Sequence, residues 1–333
     1  VTTTEESGRA RPAYREVEVD VVVRRREVAS DGVVALTLAD PTGADLPEWA
    51  AGSHIDLLLE PKLVRQYSLC GDTANSGEWR IGVLLDPESR GGSKFVHEKL
   101  QEGANVRVRG PRNHFPLVGS PKYVFIAGGI GITPILPMIA AAQAAGADWR
   151  LLYGGRKRST MAFLDELERY GDRVTISAAD ESDTPFRTEL ESVLSEPADR
   201  TLVYCCGPEG LMEAVEDACK IWPDDSLHVE RFSAKALAEP SPGALETFEV
   251  ECQRSGVTVT VPADKSVFEA CEEAGVDVLG SCMEGICGTC ECDVLEGEPD
   301  HRDSVLNDAE KARNDVMMIC VSRSRSERLV LDL

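Results

Sequence analysis

The most constraining feature of this chain is Cys282-Met283-Glu284-Gly285-Ile286-Cys287-Gly288-Thr289-Cys290, followed by Cys320 after 29 intervening residues. C-x4-C-x2-C-x29-C is a spacing with which four thiolates hold a [2Fe–2S] cluster. Such clusters take soft ligands, and two irons need four terminal ones. Three of them within nine residues can come from one loop. Gly280, Gly285 and Gly288 let that loop turn tightly and bring backbone N–H groups toward the sulfurs. Cys320 then closes the cage from a separate element. A zinc site or a disulfide pair is the competing reading. Structural zinc sites pair their cysteines as two C-x2-4-C steps, which this spacing does not match. A disulfide framework suits a short exported chain, and no export signal is visible here. Cys292 is not expected to be a ligand, although in an extended segment it would point to the same side as Cys290. The expected metal ligands are Cys282, Cys287, Cys290 and Cys320, and this end of the chain should move single electrons.

The chain has 333 residues, enough for two or three domains. No apolar run approaches ~18 residues, so no transmembrane helix is expected. The stretch Val1-Thr2-Thr3-Thr4-Glu5-Glu6-Ser7 lacks the charged and apolar regions of a signal peptide. With eleven cysteines, a reducing cytoplasm is the expected location. A net charge of −23 argues against nucleic acid or an anionic membrane as partner. Residues 247–333 hold 19 acidic against 8 basic side chains, a net of −11. That acidity suits docking to a basic patch on a partner; on charge alone it equally serves solubility.

Residues 1–117 contain short β-forming segments at 17–23, 33–38, 54–59, 79–85 and 105–109, with one helical stretch at 94–100. Regular short strands with little helix suggest an antiparallel barrel. From residue 118 to 232 the rhythm changes. A continuous apolar run at 123–127 reads as a buried parallel strand, followed by a glycine-rich turn and an Ala-rich helix at about 135–145. Further strands at 149–153, 173–177 and 201–205 complete an α/β parallel sheet. Residues 233–246, with Pro240 and Pro242 among small residues, read as a linker. Beyond it, strands at 248–252 and 257–261, a helix at 266–274 and the cysteine loop follow the order of a β-grasp ferredoxin.

Gly128-Gly129-Ile130-Gly131-Ile132-Thr133-Pro134 joins a strand to a helix, as in sites that grip a dinucleotide phosphate. A tight turn with no ligand would look similar. Cys206-Gly207-Pro208 closes a later strand, and two such turns would line one crevice. Hydride donors give two electrons, whereas a [2Fe–2S] cluster accepts one, so a flavin is needed between them. Arg65-Gln66-Tyr67-Ser68-Leu69 offers a phosphate-holding arginine, a ring-stacking tyrosine and a hydroxyl for the ring edge, although an ordinary barrel strand could carry the same residues. Arg90-Gly91-Gly92-Ser93 reads as an anion site at a helix N-terminus.

These motifs, with Gly110-Pro111-Arg112-Asn113-His114-Phe115 and Glu230-Arg231-Phe232, fall in one order along nearly the whole chain. That order resembles the phthalate dioxygenase reductase family, which includes vanillate O-demethylase reductase components. The resemblance implies an FMN barrel, an NAD domain and a C-terminal plant-type ferredoxin. It also implies that Arg65 and the 90–93 turn hold the flavin phosphate and that Gln66 belongs to the flavin site. Tyr67 would pack on the ring, Ser68 would lie near its redox-active edge and Thr133 between flavin and nicotinamide. Phe232 would cover the other ring face, or else simply end a strand in the core. Gly128, Gly129, Gly131, Cys206, Gly207 and Pro208 would line the NAD crevice. Asp180 would receive ribose hydroxyls and favour NADH, unless it belongs to a solvated loop; Arg156, Lys157 and Arg158 could instead attract NADPH. FMN is favoured over FAD by the module order and by the lack of an evident adenine-binding insertion. The expected function is transfer of electrons from NADH through FMN and the cluster to a separate Rieske-type non-haem iron oxygenase, docking at the acidic module. A cytochrome P450 acceptor would use the same machinery, and a redox-sensing protein would carry the cluster without conducting.

Overall fold

The computed structural model describes residues 17–60, 63–87, 91–182, 184–233 and 245–333. The first unit is a six-stranded antiparallel sheet: β1 (Val17–Ser30), β2 (Val33–Ala39), β3 (Ser53–Glu60), β4 (Leu63–Ser68), β5 (Trp79–Leu84) and β6 (Asn105–Asn113), in spatial order β4-β3-β6-β1-β2-β5. A bridge from Leu69 to Ile81 and a 2.8 Å bond from the Cys70 amide to the Arg80 carbonyl join the two outer strands, closing the sheet into a barrel. Closure removes exposed edges. The alternation of β1 puts Val21 and Val23 inside with Leu36, Leu38, Ile55, Leu57 and Trp79. Helix α1 (Gly92–Lys99) starts two residues before the expected bound, so Gly92 and Ser93 belong to its first turn.

The second unit is a five-stranded parallel sheet of β7 (Lys122–Gly128), β8 (Asp148–Gly155), β9 (Val174–Ala178), β10 (Thr201–Cys206) and β11 (Leu227–Glu230), ordered β11-β10-β7-β8-β9. Its helices are α2 (Ile132–Ala144), α3 (Leu164–Leu167), α4 (Phe186–Leu194) and α5 (Glu209–Ala218). The unbroken apolar run of β7 is explained by burial on both faces. Tyr123, Phe125 and Ala127 pack with α2, while Val124 and Ile126 pack with residues of α4 and α5. The short, half-buried strand β11 has no strong pattern of its own; pairing with β10 makes it a strand. Arg80 of the barrel holds Glu166 of this unit through two bonds of 2.8 and 2.9 Å and stacks on Phe163.

The third unit contains β12 (Phe248–Cys252), β13 (Val257–Val261), α6 (Val267–Glu273), β14 (Glu291–Glu296), β16 (Val316–Met318) and β18 (Arg328–Leu331), with a small pair formed by β15 (Pro299–Asp300) and β17 (Arg323–Ser324). Ser266 and Glu269 form a capping box at the start of α6. The cysteine loop lies between α6 and β14. Most of the expected linker, residues 234–244, lies outside the described residues, as does Arg90. Among the described residues no helix is long and apolar enough to cross a membrane.

Candidate functional site

One cavity of about 330 Å³ is walled by all three units, within the usual size of a ligand pocket. Its barrel wall is β4. Pairing with β3 sets His54 opposite Ser68 and Asp56 opposite Gln66. Arg65, Gln66, Tyr67, Ser68 and Ser93 all line the cavity. Arg65 lies across Gly92, with its Nε 2.8 Å from where a Cβ of residue 92 would stand. Gly91 precedes α1 in the left-handed region, at φ 95°. Strand β4 and the start of α1 thus form a cradle that a larger residue at 92 would fill. Gln66 Nε2 and His54 Nε2 are buried without a hydrogen-bond partner among the described residues. Burying such groups unpaired is costly, and a polar ligand in the cavity would offer them partners. Burial pushes the Tyr67 phenol above its ordinary value, so Tyr67 presents a neutral ring.

The second wall comes from the C-terminal ends of the parallel strands, where α/β sheets bind ligands. Thr133 is buried in the first turn of α2; its Oγ1 donates to the Ile130 carbonyl at 2.9 Å. Its methyl lies 2.9 Å from the Cβ position of Gly82 in β5, so it touches the barrel. The turn of Gly128, Gly129 and Gly131 packs on that of Cys206, Gly207 and Pro208. A Cβ on Gly131 would run into the Cys206 carbonyl and stand 2.8 Å from the Gly207 nitrogen, and one on Gly128 would lie 2.7 Å from Pro208 Cδ. The turns therefore meet through bare backbone. Asp180 sits beyond β9 and does not line the cavity; its carboxylate accepts from the Arg158 amide at 3.0 Å. Phe232, 41 % exposed, lies on the cavity wall after β11. Arg231 beside it is buried against Glu209 and Glu216 of α5, which fixes where the 230–232 segment runs.

The third wall is the cysteine loop, including Ser281, Cys282 and Ile286. Cys282 lies beside Cys287 and Cys320, and Cys320 beside Cys290. The Glu284 amide donates to Cys282 Sγ at 3.3 Å. Four neighbouring thiols, with the Glu284 amide aimed at one of the sulfurs, suit a two-iron cluster. Among the described residues no three His, Cys, Asp or Glu side chains are arranged around a single ion; a two-iron cluster instead has two terminal thiolates on each iron. Cys292 is buried in the core near Cys252 and Cys271. All eleven cysteines are free of disulfides.

Residues 250–325 match the 2Fe-2S iron-sulfur cluster binding domain, and residues 125–217 match the oxidoreductase NAD-binding domain. The chain is 40 % identical to a vanillate O-demethylase oxidoreductase of Pseudomonas sp. strain HR199, over 95 % of this chain and 100 % of that protein. The solved phthalate dioxygenase reductase superposes with a TM-score of 0.68 at 35 % identity, covering 95 % of this chain and 98 % of the other. The chain belongs to the phthalate dioxygenase reductase family. It is therefore an oxidoreductase that combines NAD-binding and [2Fe–2S] domains. Relatives include a putative toluene-4-sulfonate monooxygenase system reductase subunit of Comamonas testosteroni, 41 % identical over 95 % of this chain and 99 % of that protein, and the phenoxybenzoate dioxygenase subunit beta of Ectopseudomonas oleovorans, 42 % identical over 91 % of this chain and 94 % of its own length. An intact type IV self-sufficient cytochrome P450 monooxygenase matches with a TM-score of 0.88 at 46 % identity. The match covers 95 % of this chain but only 41 % of that one.

Sequence reasoning missed three residues of the site. His54 and His114 line the cavity, and Glu230 accepts from Ser68. His114 and Glu230 stood inside motifs already singled out. Their facing the cavity follows from strand pairing and domain docking, which no local pattern reports.

Proposed function

We propose that this chain takes hydride from NADH onto FMN in the three-walled cavity and passes single electrons through a [2Fe–2S] cluster to an oxygenase. The observation that carries the reading is that one cavity is bounded by β4, by Thr133 beside the glycine-rich turn, and by Cys282 of the cysteine loop. A flavin bound there would meet the nicotinamide crevice and the cluster at once, and when bound it converts a two-electron donor into one-electron steps. In this reading Arg65, Gly91, Gly92 and Ser93, with Arg90, hold the phosphate, Gln66 and Ser68 meet the ring edge, and Tyr67 and Phe232 cover its faces. The glycines at 128, 129 and 131, with Cys206, Gly207 and Pro208, hold NADH. A carboxylate at Asp180, past the end of β9, would repel a 2′-phosphate. Acid extraction and chromatography should yield one FMN and two irons per chain. Recovery of FAD would remove the FMN assignment, and NADPH supporting faster flavin reduction than NADH would remove the nucleotide assignment.

The acceptor we favour is a Rieske-type non-haem iron oxygenase, by likeness to the dioxygenase and demethylase components above. A second reading, a P450 acceptor, is favoured by the 46 % identity to the self-sufficient P450 chain. Electron delivery from the purified reductase to a Rieske oxygenase and to a P450, compared at equal concentration, separates the two. The free cysteines support a reducing, cytoplasmic setting.

A further inference from the structure

His114 follows β6, and its neighbours fix its place. The Asn113 side chain donates to the Ala51 carbonyl at 3.0 Å and accepts from the Phe115 amide at 3.0 Å. Phe115 is buried in the core of the parallel-sheet unit. The chain is thus pinned on both sides of His114. The imidazole stacks on His54, with ring centroids 5.7 Å apart and planes 27° from parallel. Both rings line the cavity. The outer edge of His114 meets the cysteine loop. A Cβ on Gly288 would stand 2.5 Å from His114 Nε2, and Gly288 has φ +70°. Glycine at 288 therefore serves both the backbone conformation and the close seat of the ring. Gly288 lies between Cys287 and Cys290, so the ring touches the loop where two of the thiols are anchored.

We propose that His114 is a positioning residue: its ring, wedged between His54 and Gly288, seats the cysteine loop against the cavity and so sets the rate of electron transfer from flavin to cluster. The proposal rests on the reading of the cavity as the flavin site. Each transfer moves one electron from the reduced flavin to the cluster, turning one ferric iron ferrous, with no heavy-atom bond formed or broken. Electron transfer slows as donor and acceptor move apart, so a displaced loop slows this step, whereas hydride arrival on the opposite side does not depend on this contact.

The test uses the full holoprotein mixed with excess NADH under anaerobic stopped flow, together with hydrogen exchange of the loop amides. His114→Ala should lower the ratio of the cluster-reduction rate to the flavin-reduction rate several-fold and speed exchange at 285–291. His114→Phe, which keeps a flat ring, should restore both. His114→Gln keeps a polar atom without the ring and should behave as His114→Ala, so the comparison stands if the alanine variant folds poorly. An unchanged ratio in both truncations, or a phenylalanine variant no better than alanine, overturns the role of the ring. A wild-type protein that binds no flavin overturns the reading beneath it, and is seen before any variant is made.

Discussion

Ser68, at the end of barrel strand β4, donates a 3.4 Å hydrogen bond to Glu230, at the end of strand β11 in the parallel sheet. The pair spans two units and lies on the cavity wall. Burial pushes the Glu230 carboxyl up to about 8, against 4.5 for an ordinary glutamate. Between those values the folded protein keeps a proton that the unfolded chain has released. Stability from this group is therefore complete below about pH 4.5 and is lost as pH rises toward 8. Glu230→Gln cannot titrate. Its melting temperature relative to wild type should rise between about pH 5 and pH 9 in thermal melts. Parallel pH courses in the two proteins would show that Glu230 is not the group responsible.

Serine at each of Cys282, Cys287, Cys290 and Cys320 should abolish or severely destabilise the cluster, read as bound iron and visible absorbance. NADH-to-dye reduction should persist in all four, because flavin and nicotinamide are held by the other two units. Cys292→Ser should retain its iron, since that thiol packs near Cys252 and Cys271. Loss of iron from Cys292→Ser with retention in Cys290→Ser would reverse the assignment.

Gly131→Ala tests the nucleotide crevice. The added methyl meets backbone atoms of Cys206 and Gly207, which cannot rotate out of the way as a side chain can. Overpacking of this kind costs about 1–3 kcal/mol. The KM for NADH should rise by about tenfold, while FMN content stays near wild type. An unchanged KM would place the nucleotide elsewhere.

The net −11 of residues 247–333 leads to a salt prediction. Exposed charges are screened over about 8 Å near physiological salt, so oxygenase turnover should slow as salt rises. NADH-to-dye reduction within the chain should change much less. A parallel fall in both, or flat turnover, would remove charge steering by this unit.

The local chemistry of this protein was written in short patterns. Cysteine spacing reports the cluster because one loop must supply three thiolates. The apolar run of β7 reports a parallel sheet because both of its faces are buried. The glycines of 128–131 report a turn that needs bare backbone. Arg65–Ser68 offered suitable groups, but nothing local says that Arg65 lies across Gly92 or that Gln66 and His54 are buried together. The short strand β11 carried no alternation, so the place of Glu230 and Phe232 was hidden until β11 paired with β10. His114 is the clearest case. Its motif was visible, yet its contacts with His54 and Gly288 join residues 60 and 174 positions away. Local patterns determine which groups each unit carries, because turns, ligands and periodicity act over a few residues. Which groups face one another across the cavity was decided by tertiary docking, because burial and close approach depend on surfaces that the chain brings together only when all three units are folded.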